Sequence, residues 1–210
     1  MIEVCVRSVA AGPRSMDRAI AIPADGSRLL VVADGAGGFT GSIEAADMAI
    51  AFFSERAACL VRRPEPSTWA AALAELDGRI LSEPAAGETT GVVAFVSEGN
   101  VVGASVGDSG AWLVADAGID NLTQGRWRKP LLGSGSARPI PFGPTPFRGR
   151  LIVASDGLFK YVKRERIREL ALSGHVDEAV SALVQDARLP SGGLHDDLAV
   201  ILCEQAADAV

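Results

Sequence analysis

The sequence predicts an α+β fold, antiparallel sheets covered by helices, on three observations. Strand-like and helix-like blocks are segregated along the chain and do not strictly alternate, which disfavours a doubly wound parallel sheet. The links between successive apolar segments in the middle of the chain are far too short for parallel crossovers. No repeat, low-complexity tract or linker divides the 210 residues, so a single domain over 1–210 with a sizeable core is expected.

The elements follow in order. "IEVCV" (Ile2–Val6) and "RAIAI" (Arg18–Ile22) have the period of half-buried strands, and "RLLVVA" (Arg28–Ala33) reads as a strand buried on both faces. "PADGS" (Pro23–Ser27) joins the last two as a hairpin turn. Ile43, Ala46, Ala49, Ile50 and Phe53 fall at helical spacing between Ser42 and about Ala58. "RRPEPST" (Arg62–Thr68) ends that helix, and a second is expected from about Trp69 to Leu81. Thr89–Ser97, Asn100–Val106 and Ala111–Ala115 read as a three-stranded antiparallel meander. Four prolines between Arg138 and Arg150 demand an extended loop or an edge. Leu151–Ser155 is again a buried strand, "KRERIRELAL" and "VDEAVSALVQDA" are amphipathic helices, and Leu198–Cys203 closes the chain as a strand.

Composition removes several classes of function. At 48% hydrophobic and 22% charged, the chain reads as an ordinary soluble protein with a core of small aliphatic side chains. A net charge of -6 argues against a nucleic-acid partner. No apolar run approaches the ~20 residues that span a bilayer, so no membrane partner is expected, and "MIEVCVRSVA" lacks the form of a signal peptide. Cys5, Cys59 and Cys203 are odd in number and widely spaced, which suits a reducing cytoplasm. Two histidines and no CxxC make a structural zinc site improbable.

The chemistry lies where strands end in carboxylates. "LLVVADG" and "LIVASDG" each run apolar into Asp-Gly, placing Asp34 and Asp156, while "HDDLAVILC" sets Asp196 and Asp197 immediately before the last strand. If that strand is antiparallel to the other two, its beginning lies beside their ends, and the acids gather at one edge. Carboxylates so close repel unless protonated or bridged by a cation, and oxygen-only ligands suit a hard ion such as Mg²⁺ or Mn²⁺. Asp-Gly is also a common turn dipeptide. Of the four copies here, Asp25-Gly26 and Asp77-Gly78 are read as plain turns.

These segments resemble, in the same order, the motifs of the metal-dependent protein phosphatases of type 2C (the PPM class), as in a short bacterial-type member. "VVADGAGGFTG" looks like the family's Asp-Gly-x-Gly-Gly motif, "TTGVVAF" its Thr-Thr strand and "VGDSGAWLV" its Gly-Asp-Ser hairpin; "VASDGLFKYV" and "HDDLAVIL" match its two later acidic segments. The resemblance implies a four-layer αββα sandwich, two central mainly antiparallel sheets flanked by helices. It implies hydrolysis of phosphoserine and phosphothreonine in a phosphorylated protein, a Ser/Thr kinase or its target among the partners, and two Mn²⁺ or Mg²⁺ ions with an optional third. By that likeness Asp34 bridges the two ions, the Gly35 carbonyl binds one of them, and Asp156 and Asp196 complete the other. Two divalent ions ~3.5–4 Å apart acidify a bridging water and neutralise phosphate oxygens for in-line attack. Asp108 resembles the ligand of the optional third metal, or is the acid of a tight hairpin. Asp197 is expected beside the ligands or in a turn.

The likeness is incomplete at "GPRSMDRAIAI". Arg14 stands as the phosphate-binding guanidinium and Asp17 as the outer metal-binding acid, or either is solvated surface; the spacing is short and the usual glutamate is missing. Ala36 replaces a histidine that some members use to protonate the leaving group, Gly110 replaces an arginine, and the flap beside the site is trimmed to the Pro-rich loop. "KRER" (Lys163–Arg166) reads as the wet face of a helix, and "RWRK" (Arg126–Lys129) as solvated surface before a surface that greets an acidic phosphopeptide.

Three other readings compete. A Rossmann site fails because Thr40 occupies the third glycine's place and no ribose-binding acid follows. "GDSGAW" with Ser109 as a protease nucleophile lacks an upstream histidine, since His175 and His195 both lie downstream. His195 is read as a loop residue beside the acidic edge and His175 as a surface residue at a helix junction. A catalytically weak regulatory or phosphoprotein-binding domain is the stronger rival, but it has little reason to keep a strained cluster of like charges.

Overall fold

The computed structural model describes residues 1–36 and 41–206. Ten strands make two antiparallel five-stranded sheets. One sheet runs β1 (Ile2–Val9), β10 (Leu198–Gln205), β9 (Arg150–Ala154), β6 (Gly110–Ala115), β7 (Gly118–Asn121). The other runs β2 (Asp17–Ala24), β3 (Ser27–Asp34), β4 (Gly91–Val96), β5 (Asn100–Val106), β8 (Ile140–Pro146). Helices α1 (Ser42–Leu60) and α2 (Pro66–Leu81) cover the β3 sheet, and α4 (Arg164–Ala171) and α5 (Val176–Asp186) cover the β10 sheet. A single turn of helix, α3 (Asp156–Phe159), follows β9.

The strand periodicity of two accounts for the layering. Along β3, Leu29, Val31 and Ala33 pack against Phe53, Trp69 and Leu73 of the helices, while Leu30 and Val32 face the opposite sheet. Likewise Ile152 and Ala154 meet Ile167 and Leu183, whereas Leu151 and Val153 turn inward beside Ala199 and Ile201. Both faces of these central strands are dry, which is why they read as unbroken apolar runs. At about 25 cal/mol per Å² of apolar surface, this double burial is the main force holding the sandwich.

Two expectations need correction. The meander stops after two strands: β4 and β5 pair, but β6 crosses to the other sheet and pairs with β9 and β7. The turn begins at Gly107, whose φ of 86° favours glycine and where a Cβ would come 2.7 Å from Thr90 Cγ2. Stacked sheets lie about 10 Å apart, within reach of the three-residue link. Asp77-Gly78 is not a turn but lies inside α2; Asp77 accepts from the backbone N–H of Gly133 (2.7 Å), Gly135 (3.1 Å) and Ala137 (3.1 Å) and pins that loop. The Pro-rich segment takes the edge alternative expected of it: it is β8, an edge strand paired with β5 across a register shift. β7 and α3, at four residues each, are too short for periodicity to reveal.

Candidate metal centre

Antiparallel pairing brings the first acids together. Asp17, the first residue of β2, sits directly opposite Asp34, the last of β3. Like charges in that relation are destabilising on their own. The Thr89-Thr90 step holds Asp34 in place: Asp34 N donates to Thr90 Oγ1 at 3.1 Å, and Thr90 N and Thr89 Oγ1 donate to the Asp34 carbonyl at 2.8 and 2.9 Å. Gly35 is packed so closely on the start of α1 that a Cβ would meet the Ser42 carbonyl at 2.7 Å. Gly37–Thr40, which complete the Gly-rich motif, lie outside the described residues.

The other sheet supplies the remaining acids. β9 ends at Ala154, and Asp156 opens α3 after Ser155, whose Oγ accepts from Ala199 N at 2.9 Å. Gly157 lets this turn approach β10: a Cβ there would lie 2.0 Å from the Asp197 carbonyl. Because β10 is antiparallel to β9, its start lies beside that end, with Asp196 at the rim and Asp197 buried. Asp197 accepts from Ala11 N (2.7 Å) and Met16 N (2.6 Å), strapping the segment before Asp17 to the last strand. Asp108 comes from the link between β5 and β6.

Asp17, Asp34, Gly35, Asp108, Asp156 and Asp196 thus line one cavity of about 510 Å³, with Asp197 at its wall. Its electrostatics are those of crowded, largely buried carboxyls. Burial, with the charges of Asp17 and Asp156 added, pushes the Asp34 carboxyl up to about 9. Burial raises Asp17 to about 7, with Asp197 and Asp196 adding to the rise. Asp156 is raised by burial and by Asp108. Asp17 Oδ2 is buried with no hydrogen-bond partner. Among the described residues no three acidic, histidine or cysteine side chains converge closely enough to hold an ion as they stand. The donor set nevertheless fits hard divalent cations: oxygens alone, a bare buried oxygen on Asp17, and carboxyls that only a positive charge would let ionise together.

Arg14 is exposed and does not line the cavity. The cationic lining comes from Arg128 and Lys129, which sequence reasoning left on the surface, and from Lys160, to which it gave no role. The solvated-surface reading of "RWRK" holds for the exposed Trp127, Arg128 and Lys129, though Arg128 and Lys129 also line the cavity; it fails for the half-buried Arg126. Arg126 donates to the Asp108 carbonyl (2.7 Å) and Thr123 Oγ1 (2.5 Å), and burial lowers its pKa. Arg128 Nε donates to Asp108 Oδ2 at 2.8 Å, so Asp108 is engaged by a cation. Trp127 stays 61% exposed between them. "KRER" lies on an exposed face, as expected, with one added contact: Arg164 Nη2 donates to the Ile119 carbonyl at 2.7 Å and its guanidinium lies 5.0 Å from the Trp112 ring centre. Ser109 is fully buried against Thr90 Oγ1 at 2.6 Å, which removes it as a nucleophile. His195 stacks on Tyr161 with ring centres 4.6 Å apart, and His175 precedes α5 as its N-cap.

No family model matches the sequence, and no curated protein matches it. Solved structures do. A bacterial serine phosphatase superposes with a TM-score of 0.81 at 21% identity over 100% of both chains. Serine/threonine phosphatase Stp1 from Staphylococcus aureus gives 0.80 at 19% identity, covering 99% of this chain and 96% of its own. The catalytic domain of the serine/threonine phosphatase PstP, solved with two manganese ions, gives 0.78 at 22% identity over 97% of each chain. This chain has the fold of the bacterial serine/threonine phosphatases.

Proposed function

We propose that the protein is a metal-dependent phosphoprotein phosphatase that hydrolyses phosphoserine and phosphothreonine. The observation that carries this reading is the meeting of Asp17 and Asp34 from one sheet with Asp156 and Asp196 from the other around a single cavity. The likeness in fold to serine/threonine phosphatases, one of them holding two manganese ions, supports it. In this reading Asp34, Asp156 and Asp196, with the Gly35 carbonyl and Asp17, hold two Mn²⁺ or Mg²⁺ ions, and Asp108 serves a third once Arg128 lets it go. When bound, the ions supply Lewis acidity and a water acidic enough to attack phosphorus.

The chain's own residues do the rest. Thr89 and Thr90 fix the Asp34 backbone, and the Asp197 strap fixes Asp17 through Met16. Among the described lining residues there is no serine or cysteine, the Thr90 hydroxyl is taken up by Asp34 N and Ser109 Oγ, and the aspartates serve as metal ligands in this reading, so a direct attack by water fits better than a phosphoenzyme. No histidine lines it either, and Ala36 offers no proton, so protonation of the leaving group falls to water. A cytoplasmic setting suits the free Cys5, Cys59 and Cys203, and no helix among the described residues is long and apolar enough to cross a membrane.

The test is hydrolysis of an aryl phosphate and then of a phosphopeptide. Turnover should require Mn²⁺ or Mg²⁺ and cease in EDTA. Asp156→Asn should lower kcat at least 100-fold while the circular dichroism spectrum stays native. Wild-type turnover in that variant would discard the site, and binding of phosphopeptide without any turnover would favour a regulatory domain instead.

A further inference from the structure

The cavity poses a charge problem for any phosphate ester. Six aspartates line it, and the residue expected to receive the phosphoryl group, Arg14, is exposed and outside it. Metal ions offset the acids, but a dianion arriving from solvent meets the rim first. Arg128 and Lys160 belong to that rim: both also line a smaller hollow of about 270 Å³ beside the main cavity, together with Asp108 and Asp156. They are carried by different elements, Arg128 by the loop after β7 and Lys160 by the residue that caps α3.

The state of Arg128 points the same way. Its Nε and Nη2 both lie 2.8 Å from Asp108 Oδ2, so the two-donor edge of the guanidinium that suits an oxyanion already grips one. The grip is weak: the Arg128 side chain is 77% exposed, and exposed ion pairs contribute little. Arg126 is the opposite case, half-buried and fixed by Asp108 and Thr123, and it anchors the loop that presents Arg128. Lys160 is exposed, and its ammonium rests 5.1 Å from the Tyr161 ring centre.

We infer that Arg128 and Lys160 form the anion seat that receives the substrate phosphoryl group, in place of Arg14, with Arg128 exchanging Asp108 for the arriving phosphate. The substrate class rests on the phosphatase reading; the seat itself is a claim about inorganic phosphate. Calorimetric titration of the full-length, Mg²⁺-loaded protein with inorganic phosphate tests it alongside aryl phosphate kinetics. Arg128→Ala should weaken phosphate binding at least tenfold and raise KM in step, with kcat within about threefold. Arg128→Lys, which keeps the charge and loses the two-donor edge, should fall between, and Lys160→Ala should weaken binding about threefold. Since Arg128 is largely exposed, melting temperature should hold in these variants. Phosphate binding unchanged within twofold in Arg128→Ala overturns the seat, as does a tenfold loss in Arg14→Ala with none in Arg128→Ala, or a wild-type protein that binds no phosphate. A wild type that binds phosphate through Arg128 yet hydrolyses nothing keeps the seat and removes the phosphatase. One that hydrolyses esters indifferently to Arg128 does the reverse.

Discussion

Replacing Asp34 by asparagine should make the metal-free protein more stable while ending its metal-dependent activity. In the folded chain burial and neighbouring carboxylates raise Asp34 to about 9 and Asp17 to about 7, from an ordinary 3.8. Such raised acids favour the folded state in full only below the unfolded value, and that advantage disappears as pH climbs through the folded values. Metal-free wild type should therefore weaken steadily from pH 4 toward pH 9. The substitution removes the Asp34 contribution, and at pH 8, still below its folded value of about 9, the span from 3.8 costs about 6 kcal/mol at about 1.36 kcal/mol per unit. In a chain of this size about 2–4 °C of Tm accompanies each kcal/mol. Asp34→Asn, a neutral isostere, should then melt at least about 10 °C above wild type in EDTA at pH 8, with the gap closing near pH 4. Added Mn²⁺ should raise the wild-type Tm and leave the variant's unchanged. Thermal melts followed by circular dichroism read all four conditions. An Asp34→Asn protein that melts at or below wild type in EDTA at pH 8 would refute the argument, because the cluster would then not be strained.

Two further outcomes concern the scaffold. Arg150, 7% exposed, donates to Glu204 (2.7 and 3.0 Å) and to the carbonyls of Ala171, Ser173 and Gly174; Arg150→Met leaves all of these unpaired and should cost about 3–5 kcal/mol by urea unfolding. Asp77→Ala strands the three N–H groups of the 133–137 loop, at about 3 kcal/mol in the same assay, and should loosen amide-exchange protection at Gly133 and Ala137 first.

What could be read without coordinates was whatever depends on local pattern. The double-sided burial of β3 and β9 is written in their unbroken apolar runs, and the acids at their ends are marked by the glycines that let the chain turn. The convergence of Asp34 with Asp156 and Asp196 needed only the assumption of an antiparallel last strand, which β10 satisfies against β9. Sheet membership was not legible, because pairing of β6 with β9 is a choice between two equally apolar partners that local sequence does not encode. Nor were Arg128 and Lys160. The placing of Arg128 depends on the loop that Arg126 holds at one end and Asp77 at the other, contacts separated by 18 and 56 or more residues in sequence. Arg14 was the reverse case: motif order drew it toward the centre, while the Asp197 strap takes up the backbone on either side of it and leaves its side chain outside.

Neither sheet owns a complete set of acids. Asp17 and Asp34 travel with β2 and β3, Asp156 and Asp196 with β9 and β10, and Asp108 rides the short link between layers. On the proposed reading, cations seated there would rivet the two layers together, and their occupancy would report the alignment of the two apolar faces. A slide of one sheet over the other would alter the spacing of the acids and with it the hold on any ions between them.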